Sequence, residues 1–407
     1  MRNRIILYFK THPKLVLKIY SSARLFMTCW SWFVPVRKKT IIFNSFGGRG
    51  FNDSPKALYD EICRRKEFDD WRLLWAFVDP SKQDIPRGEK VKIDTYAFFK
   101  SLLYSHVWIG NTGVDRGIEL RLKRHIRIET WHGTPLKKIC GEENIRTFAF
   151  RPAEYKGPID NATIRCAQSE FDRDIFARVF HATNDSFLVS DLPRNDELFR
   201  YSKEDVERIK KKLKINGSKK VILYTPTYRE YLINDNHKNY IAPPMDLKKW
   251  EAKLSGEYVL LIRAHYAISS AMDIGENDFV KDVSEYPSIN DLYAISDMMI
   301  SDYSSTYFDY AILDRPIFCF AYDLEEYEEK RGLYLDLANT LPCNINRNEN
   351  ELICEILSVD YNKASEKTRN FHMKFAPYAG NASCRIVDEL IARFSLEFDF
   401  DVWPQRL

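Results

Sequence analysis

The chain has 407 residues, of which 45% are hydrophobic and 29% are charged, so it is globular and too long for one ordinary core. We therefore expect two domains. The formal net charge is only +3, which excludes a protein-wide positive field, and we expect no nucleic-acid partner. The eight cysteines form no C-x-x-C pair, which argues against a zinc site or a disulfide framework and indicates reduced thiols in the cytosol.

Residues 1–38 contain basic and aromatic side chains but no acidic one, because the first acidic residue of the chain is Asp53. Lys14 and Lys18 follow helical spacing, and apolar residues stand beside them. No apolar run reaches membrane-spanning length, and no signal-peptide cleavage site follows. The pattern predicts a basic amphipathic segment on an anionic membrane surface. The alternative is a basic helix that packs on the protein's own sheet.

The first core strand is predicted at residues 40–46, and it runs into a glycine-rich loop that precedes a helix from Pro55. Glycines let a backbone approach a ligand closely, but this loop lacks the third glycine of G-x-G-x-x-G. The loop is therefore either a tight turn without a ligand or a site for an anion or a substrate. Its candidate binding residues are Gly47, Gly48, Arg49 and Asn52.

Further strands at 71–78 and 106–110, with a helix between them, indicate a parallel sheet. An alternating run at residues 126–130 then leads into Trp131-His132-Gly133-Thr134-Pro135-Leu136-Lys137. Because His132 follows a strand end and has glycine and lysine neighbours, we expect a functional imidazole on a loop over the sheet edge. The alternative is a satisfied structural histidine.

A turn at residues 191–196 is expected to end the first domain, and the charged stretch 203–219 is predicted to be a solvated linker helix. A second strand–helix cycle starts at Val221. Two of its strands end in polar runs, Thr225-Pro226-Thr227-Tyr228-Arg229 and Arg263-Ala264-His265. Because Arg263 and His265 are two residues apart, they share one side of a strand.

Residues 298–309 predict a buried strand, a polar turn and a helix. Ser301 is a good N-cap type, and Ser304, Ser305 and Thr306 place hydroxyls on the first helical turn. The N–H groups and the dipole of a helix N-terminus favour an anion, and ligands bind at such strand ends in open α/β sheets. The turn is therefore either a cradle for a diphosphate or an ordinary capping box with a serine cluster.

Several motifs occur in one order along the chain, and the ordered set is more specific than any member. The motifs are Trp131-His132-Gly133-Thr134-Pro135-Leu136-Lys137, Leu192-Pro193-Arg194-Asn195-Asp196, Tyr224-Thr225-Pro226-Thr227-Tyr228-Arg229, Arg263-Ala264-His265, Ser301-Asp302-Tyr303-Ser304-Ser305 with Phe308-Asp309, and Arg331-Gly332-Leu333-Tyr334. Together they resemble the CDP-glycerol glycerophosphotransferase family of teichoic-acid synthesis, from roughly residue 40 to the C terminus. The chain departs from the family pattern at Tyr266, where proline is expected, and at Tyr228, where tryptophan is common.

The resemblance implies an α/β fold of the GT-B type, with two Rossmann-type domains facing a cleft and N-terminal basic amphipathic helices that associate with a membrane. We expect the membrane-associating segment at 1–38, an acceptor domain at 39–200 and a CDP-donor domain at 201–407. The donor domain would include an amphipathic terminal helix at 382–398. The implied location is peripheral, on the cytoplasmic face of the cell membrane.

By the same resemblance His132 is the candidate base, and His265 is a second candidate catalytic residue. The implied donor-binding residues are Arg263, Ser301, Ser304, Ser305, Thr306, Asp309, Thr227 and Arg229. For Asp309, binding a donor hydroxyl and only bracing the turn are both open. The predicted acceptor-binding residues, taken from the glycine-rich loop and the basic residue after His132, are Gly47, Gly48, Arg49, Asn52 and Lys137. The sequence requires no metal and no other cofactor.

The implied reaction is attack by an acceptor hydroxyl on the distal phosphorus of a CDP-polyol, with CMP as the leaving group. The donor is CDP-glycerol or CDP-ribitol, with glycerol phosphate preferred, and the acceptor is a polyprenyl-diphosphate-linked saccharide. Because no long extra N-terminal domain is present, we expect a primase-like single addition over long-chain polymerisation. The rivals are a GT-B sugar transferase or epimerase with a UDP-linked donor, and a catalytically silent membrane-bound scaffold. The oligomeric state stays open.

Overall fold

The computed structural model describes residues 12–120, 122–144, 162–227, 229, 243–264 and 277–401. The chain divides into two compact units, and neither is continuous in sequence. The first unit comprises Met1–His132, Phe148–Asp196 and Tyr378–Leu407. The second unit comprises Gly133–Thr147 and Glu197–Pro377.

The first unit is built on a seven-stranded sheet in which every pairing is parallel, with the strand order β3-β2-β1-β4-β5-β6-β7. Its elements are α1 (Pro13–Ser31), β1 (Arg37–Asn44), α2 (Asp53–Arg64), β2 (Arg72–Phe77), β3 (Glu89–Lys92), α3 (Tyr96–Tyr104), β4 (Ser105–Gly110), β5 (Ile126–Glu129), β6 (Ile164–Ala167), α4 (Glu170–Phe180) and β7 (Phe187–Val189). Short 3-10 helices lie at Lys66–Phe68, Pro80–Lys82, Asn184–Ser186 and Pro193–Phe199.

Alternate residues of the central strands enter cores on opposite faces of this sheet. Ile41 and Phe43 pack on one face with α2, and Ile42 packs on the other face with α1 and α3. Successive side chains of a strand point to opposite faces, so a strand that is buried on both sides needs a continuous apolar run. The predicted parallel sheet follows from this pattern and is confirmed.

The second unit carries a six-stranded sheet, also parallel at every pairing, with the order β10-β9-β8-β11-β12-β13. Its elements are α5 (Lys203–Lys212), β8 (Lys220–Thr225), α6 (Leu247–Leu254), β9 (Tyr258–Ile262), β10 (Val280–Asp282), α7 (Ile289–Ile295), β11 (Met298–Ser301), α8 (Thr306–Ala311), β12 (Ile317–Phe320), α9 (Leu324–Lys330), α10 (Leu337–Thr340), β13 (Ile345–Asn346), α11 (Glu349–Ser358) and α12 (Tyr361–Phe375). Its core joins alternate residues of β8, β9 and β11 to α6 and α11.

The C-terminal helix α13 (Ala382–Asp401) belongs to the first unit and not to the predicted donor domain at 201–407. Ile386, Val387 and Leu390 are buried in the core that β1 and α2 share. The carboxylate of Asp196 accepts hydrogen bonds from the backbone N–H groups of Ala382 and Ser383, at 2.9 and 2.8 Å, and so caps the helix. The linear division at residue 201 fails because contacts of long sequence separation decide the packing.

Helix α1 packs on the first unit through Met27, and the following turn packs through Val34. Large apolar side chains at the C-terminal end of this region are exposed: Phe26 in α1 is 65% exposed, and Trp32 and Phe33, which follow the helix, are 74% and 81% exposed. The alternative of a basic helix on the protein's own sheet therefore describes the Met27 side of α1, and membrane association stays a prediction. In the part of the chain that the structure describes, no helix is both long enough and apolar enough to span a bilayer.

Candidate active site

His132 lies just beyond the end of β5, where sequence analysis placed it. Its Nδ1 is 3.0 Å from the backbone carbonyl oxygen of Asn111. Because a carbonyl only accepts, Nδ1 must carry the proton, and in the neutral ring the basic lone pair is on Nε2. The hydrogen bond therefore selects the tautomer that a general base needs.

Trp131 orients the loop that carries His132. Its φ of 55° lies in the left-handed region, which is strained for a bulky side chain. Packing holds the residue there, because the indole lies against Phe176 and Phe180 and stacks on the His132 ring with centroids 4.3 Å apart. The aromatic contacts thus fix the direction in which the imidazole leaves the strand.

Asp53 joins the loops around His132 and was not singled out by sequence analysis. It accepts from Asn111 Nδ2 and from Arg194 Nη1, each at 2.9 Å. Arg194 Nη1 also donates to the backbone carbonyl of His132 at 2.9 Å. The Asp53 and Arg194 side chains are only 9% and 12% exposed. Asp53 and Arg194 are far apart in sequence. The only sequence features that pointed to this group of residues were a position at a strand end and the motif that contains Arg194.

The glycine loop lies at the same edge of the sheet, and its glycines are required by the turn itself. Gly47 and Gly48 have φ of 66° and 84°, and a Cβ on Gly48 would lie 3.0 Å from the backbone nitrogen of Val78. Arg49 is exposed, and Asn52 Oδ1 accepts from Ser45 Oγ at 2.8 Å. Acceptor binding by these four residues stays a prediction.

Lys137 is not part of this edge, because it belongs to the second unit. It pairs with Leu333 in an isolated antiparallel bridge. The chain leaves the first unit directly after His132, so Lys137 belongs to the second unit although its number falls within the predicted acceptor domain at 39–200. Acceptor binding by Lys137 stays a prediction.

In the second unit, the serine stretch forms the predicted strand, turn and helix. Ser301 is fully buried, and its Oγ donates to the carbonyl of Thr225 at 2.8 Å. Ser301 therefore joins the ends of β8 and β11, and donor binding by its side chain stays a prediction. Ser304, Ser305 and Thr306 are partly exposed, and Ser304 Oγ accepts from the Thr306 N–H at 3.2 Å.

Arg229 lies inside the second unit in ion pairs with two carboxylates, and donor binding by its side chain stays a prediction. It is 4% exposed, with Nη1 2.8 Å from Asp302 and Nε 2.7 Å from Asp323. Burial lowers the pKa of Arg229, but the charge of Asp302 and the hydrogen bond with Asp323 outweigh it and raise the pKa above its ordinary value. The guanidinium is thus a permanent cation that fixes the turn, and its two carboxylate partners were missed by sequence analysis.

Thr227 and Arg263 each have a polar group that could bind a donor substrate. The Thr227 N–H donates to Asp302 at 2.9 Å, whereas its Oγ1 is buried and has no hydrogen-bond partner in the described part of the chain. Arg263 Nη1 donates to the carbonyl of Tyr286 at 2.6 Å. Burial lowers the pKa of Arg263. In the same described ranges its hydrogen bonds go to carbonyls and not to carboxylates, so its charge is left for an anion.

Asp309 and His265 are the remaining residues that were predicted to bind the donor or to act in catalysis. Asp309 is only 4% exposed in the first turn of α8, which favours bracing over binding of a donor hydroxyl. His265 lies outside the described residues. Among the residues that are described, no three His, Cys, Asp or Glu side chains come together in a way that could hold a metal ion.

The two parallel sheets with flanking helices define the GT-B class of transferase folds. The structure is similar to a UDP-GlcNAc 2-epimerase from Neisseria meningitidis, with a TM-score of 0.53 and 13% identity over 87% of this chain and all of that chain. At this identity the likeness shows the fold alone.

The similarity to the wall teichoic acid polymerase TagF is much greater, with a TM-score of 0.81 and 28% identity over 98% of this chain and 99% of that chain. A teichoic acid glycerol-phosphate transferase of Staphylococcus aureus is 34% identical over 363 residues, which are 86% of this chain and 92% of the relative. A poly(glycerol phosphate) polymerase of Staphylococcus epidermidis is 32% identical over 368 residues, and there the match spans 88% of this chain but only 51% of the relative.

The model of the CDP-glycerol:poly(glycerophosphate) glycerophosphotransferase family matches residues 26–392. The chain belongs to this family. The family and the transferase class that the sequence motifs predicted are therefore confirmed, and so is the two-unit α/β fold.

Proposed function

We propose that this protein transfers glycerol phosphate from CDP-glycerol to a hydroxyl of a polyprenyl-linked acceptor, with release of CMP, in the synthesis of teichoic acid or a related cell-wall polymer. The observation that carries the proposal is the hydrogen bond between His132 Nδ1 and the Asn111 carbonyl, which leaves the basic lone pair on Nε2 in a chain of this family. A histidine-to-asparagine variant of TagF was solved with CDPG, which supports the choice of donor.

In the proposed reaction the acceptor oxygen attacks the distal phosphorus of the donor while His132 Nε2 takes the hydroxyl proton. The bond from that phosphorus to the bridging oxygen breaks, and CMP leaves with the electron pair. Arg263 and the exposed hydroxyls of Ser304 and Ser305 would offset the charge that develops on the phosphates. A positioned base contributes on the order of 10²- to 10⁴-fold to such a transfer.

Attachment to the cytoplasmic face of a membrane is part of the proposal. The exposed aromatic residues Phe26, Trp32 and Phe33 support it, as do the exposed basic residues of 37–39. Apolar side chains that insert at an interface, next to cations that attract anionic lipids, are typical of peripheral membrane proteins.

The test is CMP release from CDP-glycerol and, separately, from CDP-ribitol, with a short polyprenyl-type lipid acceptor in anionic liposomes. We expect release that depends on the acceptor and that falls by at least about 10²-fold in His132→Ala, with CDP binding unchanged. His181→Asn is the matched control, because His181 is an exposed histidine of the same unit with a left-handed φ of 53° that asparagine tolerates.

The preferred donor identifies the polyol. Near-normal turnover by His132→Ala would show that His132 is not the base. Absence of CMP release with both donors, together with absence of CDP binding, would transfer the assignment to a UDP-sugar enzyme of the same fold.

A further inference from the structure

The motif Arg331-Gly332-Leu333-Tyr334 has no part in the proposed chemistry, but it holds the segment that follows the candidate base. This crossover segment, residues 133–144, begins at Gly133, directly after His132, and belongs to the second unit. The segment and the motif form a short antiparallel contact. The Tyr334 N–H donates to the Leu136 carbonyl at 2.9 Å, and the Lys138 N–H donates to the Gly332 carbonyl at 3.1 Å.

The side chains of Arg331 and Tyr334 extend this contact. Arg331 Nη1 donates to the Lys138 carbonyl at 2.6 Å. The Tyr334 hydroxyl accepts from the Ile139 N–H at 3.2 Å and donates to Glu142 at 2.6 Å. Each side chain therefore makes a hydrogen bond to a backbone group of the crossover segment that would otherwise have to bond to water. Hydrogen bonds in which one partner is charged, such as those of the Arg331 guanidinium and the Glu142 carboxylate, are among the stronger ones.

Gly332 permits the close approach. Its φ is +78°, and a Cβ there would lie 2.7 Å from Lys138 Cδ and 3.0 Å from Asn144 Oδ1. Only glycine combines a left-handed backbone with this absence of side-chain volume at low cost. The glycine at 332 therefore serves two contacts: its N–H donates to the Tyr327 carbonyl at 3.3 Å and ends α9, and its missing side chain leaves room for the crossover segment.

The other end of the motif leads to the serine turn. Helix α9 directly precedes the motif, and its Tyr327 stacks on Tyr303 with ring centroids 3.8 Å apart. Tyr303 immediately precedes Ser304, and Arg229 packs over both tyrosine rings at 4.8 and 5.2 Å. A continuous set of packed residues in the second unit therefore connects the proposed phosphate site with the segment that starts next to His132.

We infer that Arg331 and Tyr334 are positioning residues for the transfer reaction, an inference that rests on the proposed function. They keep the chain on the C-terminal side of His132 attached to the unit that carries the proposed donor site. We call the contact of Arg331, Gly332 and Tyr334 with the crossover segment the clamp. Loss of one clamp contact lets the base sample non-productive positions, and small misplacements of a reacting group can cost on the order of 10²-fold in rate. Donor binding is unaffected, because neither side chain is assigned to the donor.

The test is Tyr334→Phe, which removes only the hydroxyl. Amide hydrogen exchange over residues 133–144 should accelerate. The kcat for CMP release should fall on the order of 10- to 100-fold while the affinity for CDP stays unchanged. Tyr361→Phe is the matched control, because its hydroxyl likewise bonds to a backbone group of the same unit, donating to the Asp297 carbonyl at 3.2 Å. We expect this control to change neither quantity.

A double-mutant cycle separates positioning from a general structural role. If Tyr334 acts through His132, Tyr334→Phe should cause no further loss of kcat in the His132→Ala background. An equal loss in both backgrounds, or faster exchange with unchanged kcat, would overturn the inference. Gly332→Ala perturbs the same contact from the backbone, and unchanged kcat in both variants would overturn it as well.

Failure of the inference and failure of the proposed function give different results. The exchange measurement needs no turnover, so it reports on the clamp even if the wild-type protein releases no CMP from either CDP-polyol. That absence of release would remove the proposed function. A wild-type enzyme that needs His132 but tolerates both clamp variants would remove only the inference.

Discussion

A backbone carbonyl accepts the hydrogen bond that orients His132, and a side-chain substitution cannot remove it. A test of this orientation must therefore change the residues that hold the surrounding loops. Asp53 is the best target, because it holds Asn111 and Arg194, and both contact His132. Asparagine keeps the shape of this side chain but removes its charge. Arg194, which is 12% exposed, would then keep a nearly buried charge without its carboxylate partner.

We expect Asp53→Asn to lower the free energy of unfolding by about 3 kcal/mol, which is the usual cost of breaking a buried ion pair from one side. The kcat should fall with it, whereas the KM for the donor should not change. Urea unfolding and CMP release measure the two effects. Asp60→Asn is the control, because the Lys56–Asp60 pair is 39% exposed on both sides and should contribute less than about 1 kcal/mol. Equal effects of the two substitutions would contradict the assignment.

His125 gives a prediction about pH. Its ring lies against Trp108, its Nδ1 is 2.7 Å from the Ser105 carbonyl, and burial lowers its pKa to about 3. Between the unfolded-state pKa, about 6.5, and this value, the unfolded chain binds a proton that the folded protein does not. Stability should therefore fall as the pH falls through this range, by about 1.4 kcal/mol per pH unit.

Urea unfolding at about pH 7 and about pH 5 tests this, with an expected loss of about 2 kcal/mol from His125. His125→Asn can keep a donor for the Ser105 carbonyl but does not titrate. The variant should be less stable at neutral pH and should lose less stability on acidification than the wild type. The same loss in both proteins would show that His125 does not set the acid sensitivity.

At the scale of the elements, α1 packs on the first unit through Met27, and large apolar side chains at and just after its C-terminal end are exposed. Trp32 and Phe33 are the most exposed large apolar residues of the described chain, at 74% and 81%. Transfer of one such side chain out of water contributes about 1.5–3 kcal/mol. The double substitution of Trp32→Ser and Phe33→Ser should therefore weaken binding to anionic vesicles by at least about 100-fold.

Co-sedimentation with vesicles measures that loss, and turnover of a water-soluble acceptor analogue should be unchanged. Phe199→Ser is the control, because Phe199 is 54% exposed on the second unit. Equal loss in the control, or full binding by the double variant, would remove the membrane role of α1.

The local sequence pattern predicted many helices and strands. It failed where contacts between distant residues or the backbone geometry decide where an element ends or packs. The strand that was predicted to end in Arg263-Ala264-His265 is β9, because a continuous apolar run specifies a buried strand by itself. The helix predicted at 203–219 ends at Lys212, because Lys214 adopts a left-handed φ of 54°.

The candidate site was also predicted in part. His132 and the serine turn follow strand ends, which a sequence reveals. Asp53, by contrast, reaches Arg194 across 141 residues, and Arg229 reaches Asp302 across 73. No periodicity encodes such pairs, so the buried ion pairs of Arg229 could not be predicted from the sequence.

At the scale of the whole molecule, the chain crosses between the units more than once, and contacts within each unit account for two of the displaced segments. The crossover segment is held by the motif at 331–334, and α13 is capped by Asp196 and buried on the first sheet. The C-terminal helix should therefore report on the stability of the first unit, although it follows the second unit in sequence.

Leu390→Ala tests this, because Leu390 is fully buried in the core of the first unit. A buried leucine-to-alanine change costs about 2–5 kcal/mol, so amide exchange should accelerate in β1 and β2 and stay unchanged in β8 and β9. Leu352→Ala in α11 is the mirror control, since Leu352 is fully buried in the core of the second unit and should reverse the pattern. If Leu390→Ala instead accelerates exchange in β8 and β9, the helix acts on the second unit, as a linear division of the chain would require.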